Sequence, residues 1–463
     1  MRVRPTNLMT AVALVASFDV AAQPSEANSR GLPVAAVSTV PREVPSLRLL
    51  AAIQPAELRV LVGEVLEHNP GIAATEALAR AAWLQGPQAR ALPDPMTGLT
   101  GYILPPETRV GPQRVMATLS QMLPWFGKLG LRERAALAQA TVLDAQVEAR
   151  RLEMLTETRR LYYEIAFLDT QSDVVRADKA ALAHYEELAR TRYATGSGPE
   201  QAVIRIQAEI TKDETRLLDI ASSRATLVAS LNALRDRPQD TDVPKVDLPV
   251  YPKLFLDKTL RTRALLARPE LAEADAEIAR AEALVDLARK GYRPDVTVGL
   301  TYGLVGDRTD APGIASPPPD NGKDVFGISA SLNLPIWRGK LEAGVKEAME
   351  RRLSAEERKR GVVAAIDRSL GELAPRASLT WDQLHLFEAV LAVQADQSLR
   401  SAEAGYSAGT LNSLDLLDAE RVLLQVRTAT ERTRADYAIV LARLEGAVGE
   451  PLFPSKPDGG GRP

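Results

Sequence analysis

Val325-Phe326-Gly327-Ile328-Ser329-Ala330-Ser331-Leu332-Asn333-Leu334-Pro335-Ile336-Trp337 runs for 13 residues without a charge. Phe326, Ile328, Ala330, Leu332 and Leu334 alternate with Gly327, Ser329, Ser331 and Asn333. Period two marks a strand with unlike faces, one apolar and one small and polar. Val296–Gly306 repeats the pattern, with Val296, Val298, Leu300, Tyr302 and Leu304 opposing Thr297, Gly299, Thr301 and Gly303. Met96–Pro106 and Val115–Gly127 are also free of charge but alternate less cleanly, and the sequence leaves their facing open. The four windows hold 48 residues, where 25% charged residues would place about 12 charges. A strand crossing a bilayer needs about 9–11 residues, and apolar-out, polar-in alternation is the pattern of an outer-membrane barrel. The competing reading is two hairpins packed on a soluble core.

Outward from these windows the chain is written twice. Pro93-Asp94-Pro95-Met96-Thr97-Gly98-Leu99-Thr100 is echoed by Pro294-Asp295-Val296-Thr297-Val298-Gly299-Leu300-Thr301. Ser120-Gln121-Met122-Leu123-Pro124 with Gly127-Lys128 is echoed by Ser331-Leu332-Asn333-Leu334-Pro335 with Gly339-Lys340. Tyr193-Ala194-Thr195-Gly196 is echoed by Tyr406-Ser407-Ala408-Gly409. Three matches in one order predict two structural copies, 55–236 and 258–450, around a Pro-rich linker at 237–257. Length alone, at about 150 residues per domain, would instead suggest three domains.

Each copy reads as helix, two strands (near 96–106 and 115–124, then 296–305 and 325–335), long helix, turn, helix. Lys128 to Tyr193 contains no Pro and only Gly130 as glycine. At about 1.5 Å per residue such a helix is about 100 Å long, beyond what a globular core uses. Copy two has an equal stretch to Gly405, in which Pro375 is expected to kink or interrupt the helix. The helices after the turns carry heptads: Leu416, Leu423, Thr430, Tyr437 and Leu444, with Ala419, Val426, Thr433, Val440 and Ala447. The copy-one counterparts are apolar except for Asp213 and Arg224.

Composition narrows the class. There is no Cys, which excludes disulfide scaffolds, zinc ribbons, thiol catalysis and Cys lipidation. A formal charge of −3 offers nucleic acid no electrostatic reason to bind. No apolar run reaches transmembrane-helix length, which leaves a β route into a membrane open. Residues 1–22, with Arg2 and Arg4, an apolar Leu8–Phe18 stretch and Val20-Ala21-Ala22, read as a signal peptide. Residues 23–54 and the tail 451–463 read as flexible. A sheet in hydrocarbon must close, and four strands cannot close, so the chain is expected to oligomerise. Counting strands does not choose among two, three or four copies.

The two-copy layout, the Leu-Pro-…-Gly-Lys junctions and the Tyr-x-x-Gly turns resemble the TolC-type outer membrane efflux proteins over about residues 55–450. The most specific stretch is Gly405-Tyr406-Ser407-Ala408-Gly409-Thr410-Leu411-Asn412-Ser413-Leu414-Asp415-Leu416-Leu417-Asp418-Ala419-Glu420. The resemblance implies a mainly α fold with transmembrane β: a homotrimer with a twelve-stranded outer-membrane barrel, continued by a periplasmic helical barrel. It implies partners too: outer membrane lipid, a periplasmic adaptor and an inner-membrane pump of the RND type. Asp415 and Asp418 fall where the family carries an acidic ring at the periplasmic aperture, whose field would favour cations. The residue-level alternative makes both first-turn acids favoured by the helix dipole. Leu411 stands where the best-known members place an Arg that helps to hold the tip shut. Ala202 stands where copy one could carry an acid, so the same salt-bridge closure is not expected. Tyr193, Gly196, Tyr406 and Gly409 are the candidate adaptor-contacting tip. Trp125 and Trp337 are candidate membrane-interface aromatics, with packing against the barrel base as the alternative.

His68, His184 and His385 lie more than 100 residues apart, and no hydrolase, P-loop or dinucleotide motif occurs. Neither catalysis, a cofactor nor a metal centre is expected. The rival to an efflux channel is a periplasmic or surface coiled-coil structural protein without a pore. Leu123-Pro124-Trp125-Phe126-Gly127-Lys128-Leu129 is similar to the branch of the family that serves heavy-metal cation efflux.

Overall fold

The computed structural model describes residues 44–453. The signal-peptide reading and most of both flexible readings therefore lie outside the described residues. Copy one begins with helices α1 (Pro45–Ala52), α2 (Ala56–His68), α3 (Pro70–Trp83) and α4 (Gln85–Arg90). Strands β1 (Met96–Gly101), β2 (Glu107–Thr108) and β3 (Gly111–Leu123) follow, then α5 (Lys128–Ala194) and α6 (Glu200–Leu234). Copy two repeats the order with α7 (Leu260–Ala267), α8 (Pro269–Lys290), β4 (Val296–Val305), the short α9 (Ala311–Ala315) and β5 (Val325–Leu332). Its long helix is α10 (Arg338–Leu386), a π-turn (Phe387–Leu391) and α11 (Ala392–Ala408), and α12 (Ser413–Val448) closes the unit. Among the described residues no helix is long and apolar enough to cross a membrane.

The strands form one antiparallel sheet in the order β1-β3-β4-β5, with β2 pairing only on β3. The two copies thus meet through β3 and β4. Two strands stop short of their expected ends. β1 ends at Gly101 rather than Pro106, although isolated bonds continue the pairing, from the Tyr102 N–H to the Arg114 carbonyl and from the Gln113 N–H to the Pro106 carbonyl. β5 ends at Leu332, three residues before Pro335.

α5 runs 67 residues without a break, about 100 Å of helix. Pro375 does not interrupt α10. The carbonyl that its missing N–H would have engaged belongs to Gly371, and both residues are exposed, so water can satisfy that group. The interruption comes twelve residues later, at the π-turn, which no proline marks.

Among the described residues three cores join the two copies. One joins Leu155, Tyr162, Tyr163 and Ile165 of α5 to Leu58 and Val62 of α2, Leu231 of α6, and Ala438 and Ala442 of α12. The segment expected to stay flexible up to residue 54 is helical from Pro45. Leu49 and Ile53 are buried in this core, and that apolar area anchors it. The Pro-rich joint is likewise a packed strap. Val243, Val246 and Leu254 are buried, and the Tyr163 and Tyr251 hydroxyls lie 2.6 Å apart. The Tyr437 hydroxyl donates to the Pro252 carbonyl at 2.8 Å and accepts from the Leu254 N–H at 2.9 Å. At the C-terminal end Phe453 stacks on Tyr251, so the tail is held through residue 453. Across the copies Arg159 donates to Glu445 at 2.5 Å, with both side chains almost fully buried.

Candidate functional site

The register of the sheet settles which way each strand faces. Directly opposed residues of antiparallel strands share a face. One row reads Leu99, Ala117, Tyr302, Phe326, the next Thr97, Leu119, Leu300, Ile328, and a lower one Leu123, Val296, Leu332. Between them lie the opposite-face rows Gly98, Thr118, Thr301, Gly327 and Met96, Ser120, Gly299, Ser329, so that Thr97 and Met96 depart from the pattern. The unclear alternation of the first hairpin is thereby resolved, with Leu99, Leu119 and Leu123 on the apolar face. Nothing among the described residues covers that face: Leu99 is 63% exposed, Phe326 67% and Ile328 74%. An uncovered apolar surface rimmed by polar residues marks a contact with membrane or protein. The two-hairpins-on-a-core reading fails here because no core layer lies against the sheet.

Where the strands end, charge returns at once. Lys128, buried at the start of α5, donates to the Asp295 carboxylate at 2.7 Å and to the Arg293 carbonyl at 2.9 Å. The Trp125 backbone N–H donates to the same carboxylate at 2.7 Å. Burial pushes Asp295 up, but Lys128 and the Trp125 N–H outweigh it and hold the carboxyl below its usual range. This knot ties the β3–α5 junction of copy one to the α8–β4 junction of copy two. Trp125 is half-buried against Phe126, edge to face at 6.0 Å, while Phe126 is 85% and Trp337 74% exposed. Sequence reading gave a role to both tryptophans, whereas Lys128, Asp295 and Phe126 stood in it only inside quoted stretches, without a role.

At the far end of the helices the two turns share one backbone design. Gly196 (φ +72°) donates to the Tyr193 carbonyl and Ser197 to that of Arg192. Gly409 (φ +78°) donates to the Tyr406 carbonyl and Thr410 to that of Gly405. These paired bonds end α5 and α11 as Schellman motifs, which need the left-handed conformation that glycine adopts freely. Side chains then part ways. Tyr193 is 49% exposed, whereas Tyr406 is buried in the tip core with Leu182, Tyr185, Leu399 and Leu416. The Arg192 guanidinium lies over the Tyr406 ring, 4.8 Å from its centroid, and donates to the Tyr406 carbonyl. Of the two tyrosines only Tyr193 offers its ring to a partner. Arg192 was not singled out from sequence, where one Arg among many in α5 gives no signal.

Asp415 and Asp418 stand one turn apart on the exposed side of α12, with Leu416 and Leu417 buried between them. Asn412 accepts from the N–H groups of Leu414 and Asp415, and the Asp415 carboxylate accepts from the Asn412 N–H at 3.2 Å. Asp415 therefore completes a capping box, while Asp418 makes no hydrogen bond or ion pair among the described residues. Leu411 folds back over Gly405, where a Cβ would lie 2.6 Å from its Cδ1.

Above the tip lies a buried acidic group that sequence had read only as a blemished heptad. Asp178 of α5, Asp213 of α6 and Glu420 of α12 are each at least nine-tenths buried. Burial and the Glu420 contact push Asp178 up to about 7; burial and the Asp178 contact push Asp213 up to about 7. Arg216 partly offsets this, donating to Asp213 at 2.6 Å. Arg224, the other blemish, pairs with Asp169 of α5 at 2.6 Å and donates to the Val243 carbonyl of the strap at 2.9 Å. Among the described residues no cluster of His, Cys, Asp and Glu is arranged to hold a metal ion.

A sheet whose charge-free stretches present one uncovered apolar face, mounted on helices of about 100 Å, defines an outer-membrane channel subunit. The profile of the family described as "Outer membrane efflux protein" matches residues 61–235 and 260–450. The chain belongs to that family and is an outer-membrane efflux protein. It is 22% identical to the outer membrane protein TolC of Vibrio cholerae, over 67% of this chain and 71% of that protein. It is 23% identical to the cobalt-zinc-cadmium resistance protein CzcC of Cupriavidus metallidurans, over 73% of this chain and 77% of that one. The crystal structure of the outer membrane protein VceC from Vibrio cholerae superposes with a TM-score of 0.70 at 21% identity, covering 86% of this chain and 97% of VceC. The poreless coiled-coil reading is set aside.

Proposed function

We propose that three copies of this chain assemble into a passive duct, the outer-membrane component of a tripartite efflux system. The observation that carries the reading is the aligned, uncovered apolar face, which leaves β1 and β5 with open edges. Backbone groups in hydrocarbon must be paired, so those edges demand neighbouring copies, and three give twelve strands. The long helices continue the barrel through the periplasm to a tip that meets an adaptor and, beyond it, an inner-membrane pump of the RND type. Gly196 and Gly409 shape the tip, and Tyr193 is its exposed aromatic contact. Asp415 and Asp418, repeated by symmetry, ring the aperture and favour cations. Trp125 and Trp337, with Phe126, anchor the barrel base at the membrane interface.

The cargo reading is metal cations. Its support is the likeness to the metal-resistance relative and the Leu123–Leu129 stretch. Other relatives are a pyoverdine export protein and a toluene efflux protein, so the pump would make the choice. Conductance of the purified chain in planar bilayers tests the duct. Steady conductance with cation preference is expected, with the preference reduced in an Asp415→Asn, Asp418→Asn double variant. Absence of conductance together with absence from outer-membrane fractions would sink the reading. Loss of cobalt, zinc or cadmium tolerance on deletion tests the cargo.

A further inference from the structure

The junctions beneath the sheet carry an excess of cations. Aromatic and basic residues follow one another at each: Trp125, Phe126, Lys128 and Arg132; Arg289, Lys290, Tyr292 and Arg293; Trp337, Arg338 and Lys340. Along the helices many arginines, though not the majority, answer a carboxylate one turn away, as in Arg160–Glu157 or Arg360–Glu357. At the junctions Arg132, Lys290, Arg293 and Lys340 make no ion pair among the described residues, and Arg289 meets Asp286 only at 3.4 Å.

Three of these cations converge. Arg289, Lys290 and Arg293, together with Asp286, line a cleft of about 560 Å³ between the end of α8 and the start of α5, with Gly127, Gly130 and Leu131 on the facing wall. That volume lies within the ~300–1,000 Å³ of small-ligand sites. A Cβ on Gly130 would meet nothing within 4 Å, so this wall is open space rather than packed interior. In the chain the lining continues directly into Leu123 and Val296, the lowest opposed pair described on the apolar face, and into the exposed Phe126. Three cations against one half-engaged carboxylate select an anion, and adjoining apolar surface selects one with hydrocarbon attached.

We propose that this cleft is a headgroup site for an anionic phospholipid of the inner leaflet. The phosphate sits among Arg289, Lys290 and Arg293, and the acyl chains lie along Phe126 and the apolar sheet face. The proposal rests on the reading of the strands as membrane-spanning. Occupancy would fix the depth of the barrel and brace the joint between the copies.

The test is native mass spectrometry of the full-length protein in detergent, titrated with phosphatidylglycerol or phosphatidylethanolamine. The wild type is expected to retain phosphatidylglycerol in preference. Lys290→Gln with Arg293→Gln should weaken retention about 30-fold, since each cation near an anionic surface contributes about a factor of five. Lys290→Arg should retain the lipid, and Gly130→Leu, which fills the cleft without altering charge or harming the helix, should lose it. Equal retention in the double variant or in Gly130→Leu, or displacement by inorganic phosphate alone, would overturn the site. Bilayer conductance is read in parallel: a conducting channel that binds no lipid here refutes the site alone. A wild type that never conducts refutes the membrane reading beneath it.

Discussion

The two tip turns have one backbone and two jobs. Both end a long helix with a left-handed glycine and the same pair of bonds, yet α6 starts at Pro199 without a side-chain cap and α12 starts in an Asn412–Asp415 capping box. The copy-two turn is held three ways: by the box, by Leu411 over Gly405, and by Arg192 reaching from copy one onto Tyr406. The copy-one turn has an open tyrosine and only local ties, the Thr195 and Ser197 hydroxyls donating to the Arg192 carbonyl at 3.0 and 3.1 Å and Arg192 to the Ser197 carbonyl at 3.4 Å. The seams differ as well. Asp213 and Arg224 sit where copy two has Val426 and Tyr437. Duplication preserved what the backbone needs at a turn and let the side chains diverge into a braced arm and a looser one.

The comparison can be broken most severely by cutting the tie between the copies. Glu445→Gln leaves Arg159 buried without its counter-charge, and removing one partner of a buried pair costs about 3–5 kcal/mol. A lowered thermal midpoint of the purified protein is the expected result, larger than for any exposed pair such as Arg360–Glu357.

Next in size is the pH response, which should belong to the seam of copy one. The carboxyls of Asp178 and Asp213 are raised in the folded protein to about 7, so the folded state holds protons that an unfolded chain releases at ordinary aspartate values. That stabilisation is complete at pH below about 4 and is lost as pH rises to about 7. Amide exchange in α6 around Asp213, corrected for its intrinsic rate, should speed up across that window. Asp213→Val, which copies Val426, should flatten the response; an unchanged slope in that variant would show that the cluster is not its source.

Substituting the turn glycines sharpens the contrast. Alanine at either position pays for a left-handed conformation, about 1–2 kcal/mol. Gly196→Ala should show that cost alone, since a Cβ there meets nothing within 4 Å. At Gly409 a Cβ would lie 3.3 Å from the Arg192 Nη2, so Gly409→Ala should also loosen the clamp and raise exchange in α11. Equal effects at both turns would refute the asymmetry. The smallest change is Asn412→Ala, about 1 kcal/mol, visible as faster exchange confined to the first turn of α12.

Much of this was legible beforehand because it is written in local periods. Alternation marked the strands, the absence of Pro and Gly marked α5, and heptads marked the buried stripe of α12, where Leu416, Leu423, Tyr437 and Leu444 are fully or nearly buried. The turns followed from Tyr-x-x-Gly. What went unread was long-range. Asp295 and Lys128 are 167 positions apart, Arg192 and Tyr406 are 214, and no spacing rule links either pair. Pro375 misled because its effect depends on whether a carbonyl one turn back can reach water. The strap and α1 were read from their Pro content, although their sparse apolar residues were enough to bury them.

The sequence by itself determined the elements and their duplication, since period, charge and turn chemistry act over a few residues. It also marked where the strands run, because 48 residues without charge are unusual for a surface that faces water; of the strands, β3 and β4 reach membrane-crossing length, while β1 and β5 are shorter. Only the tertiary structure decided which face of the first hairpin is apolar, that Tyr406 is buried while Tyr193 is open, and that Asp178 and Asp213 of copy one are buried. Those outcomes depend on the pairing register and on which helices meet, where one residue of slip exchanges the two faces of a strand.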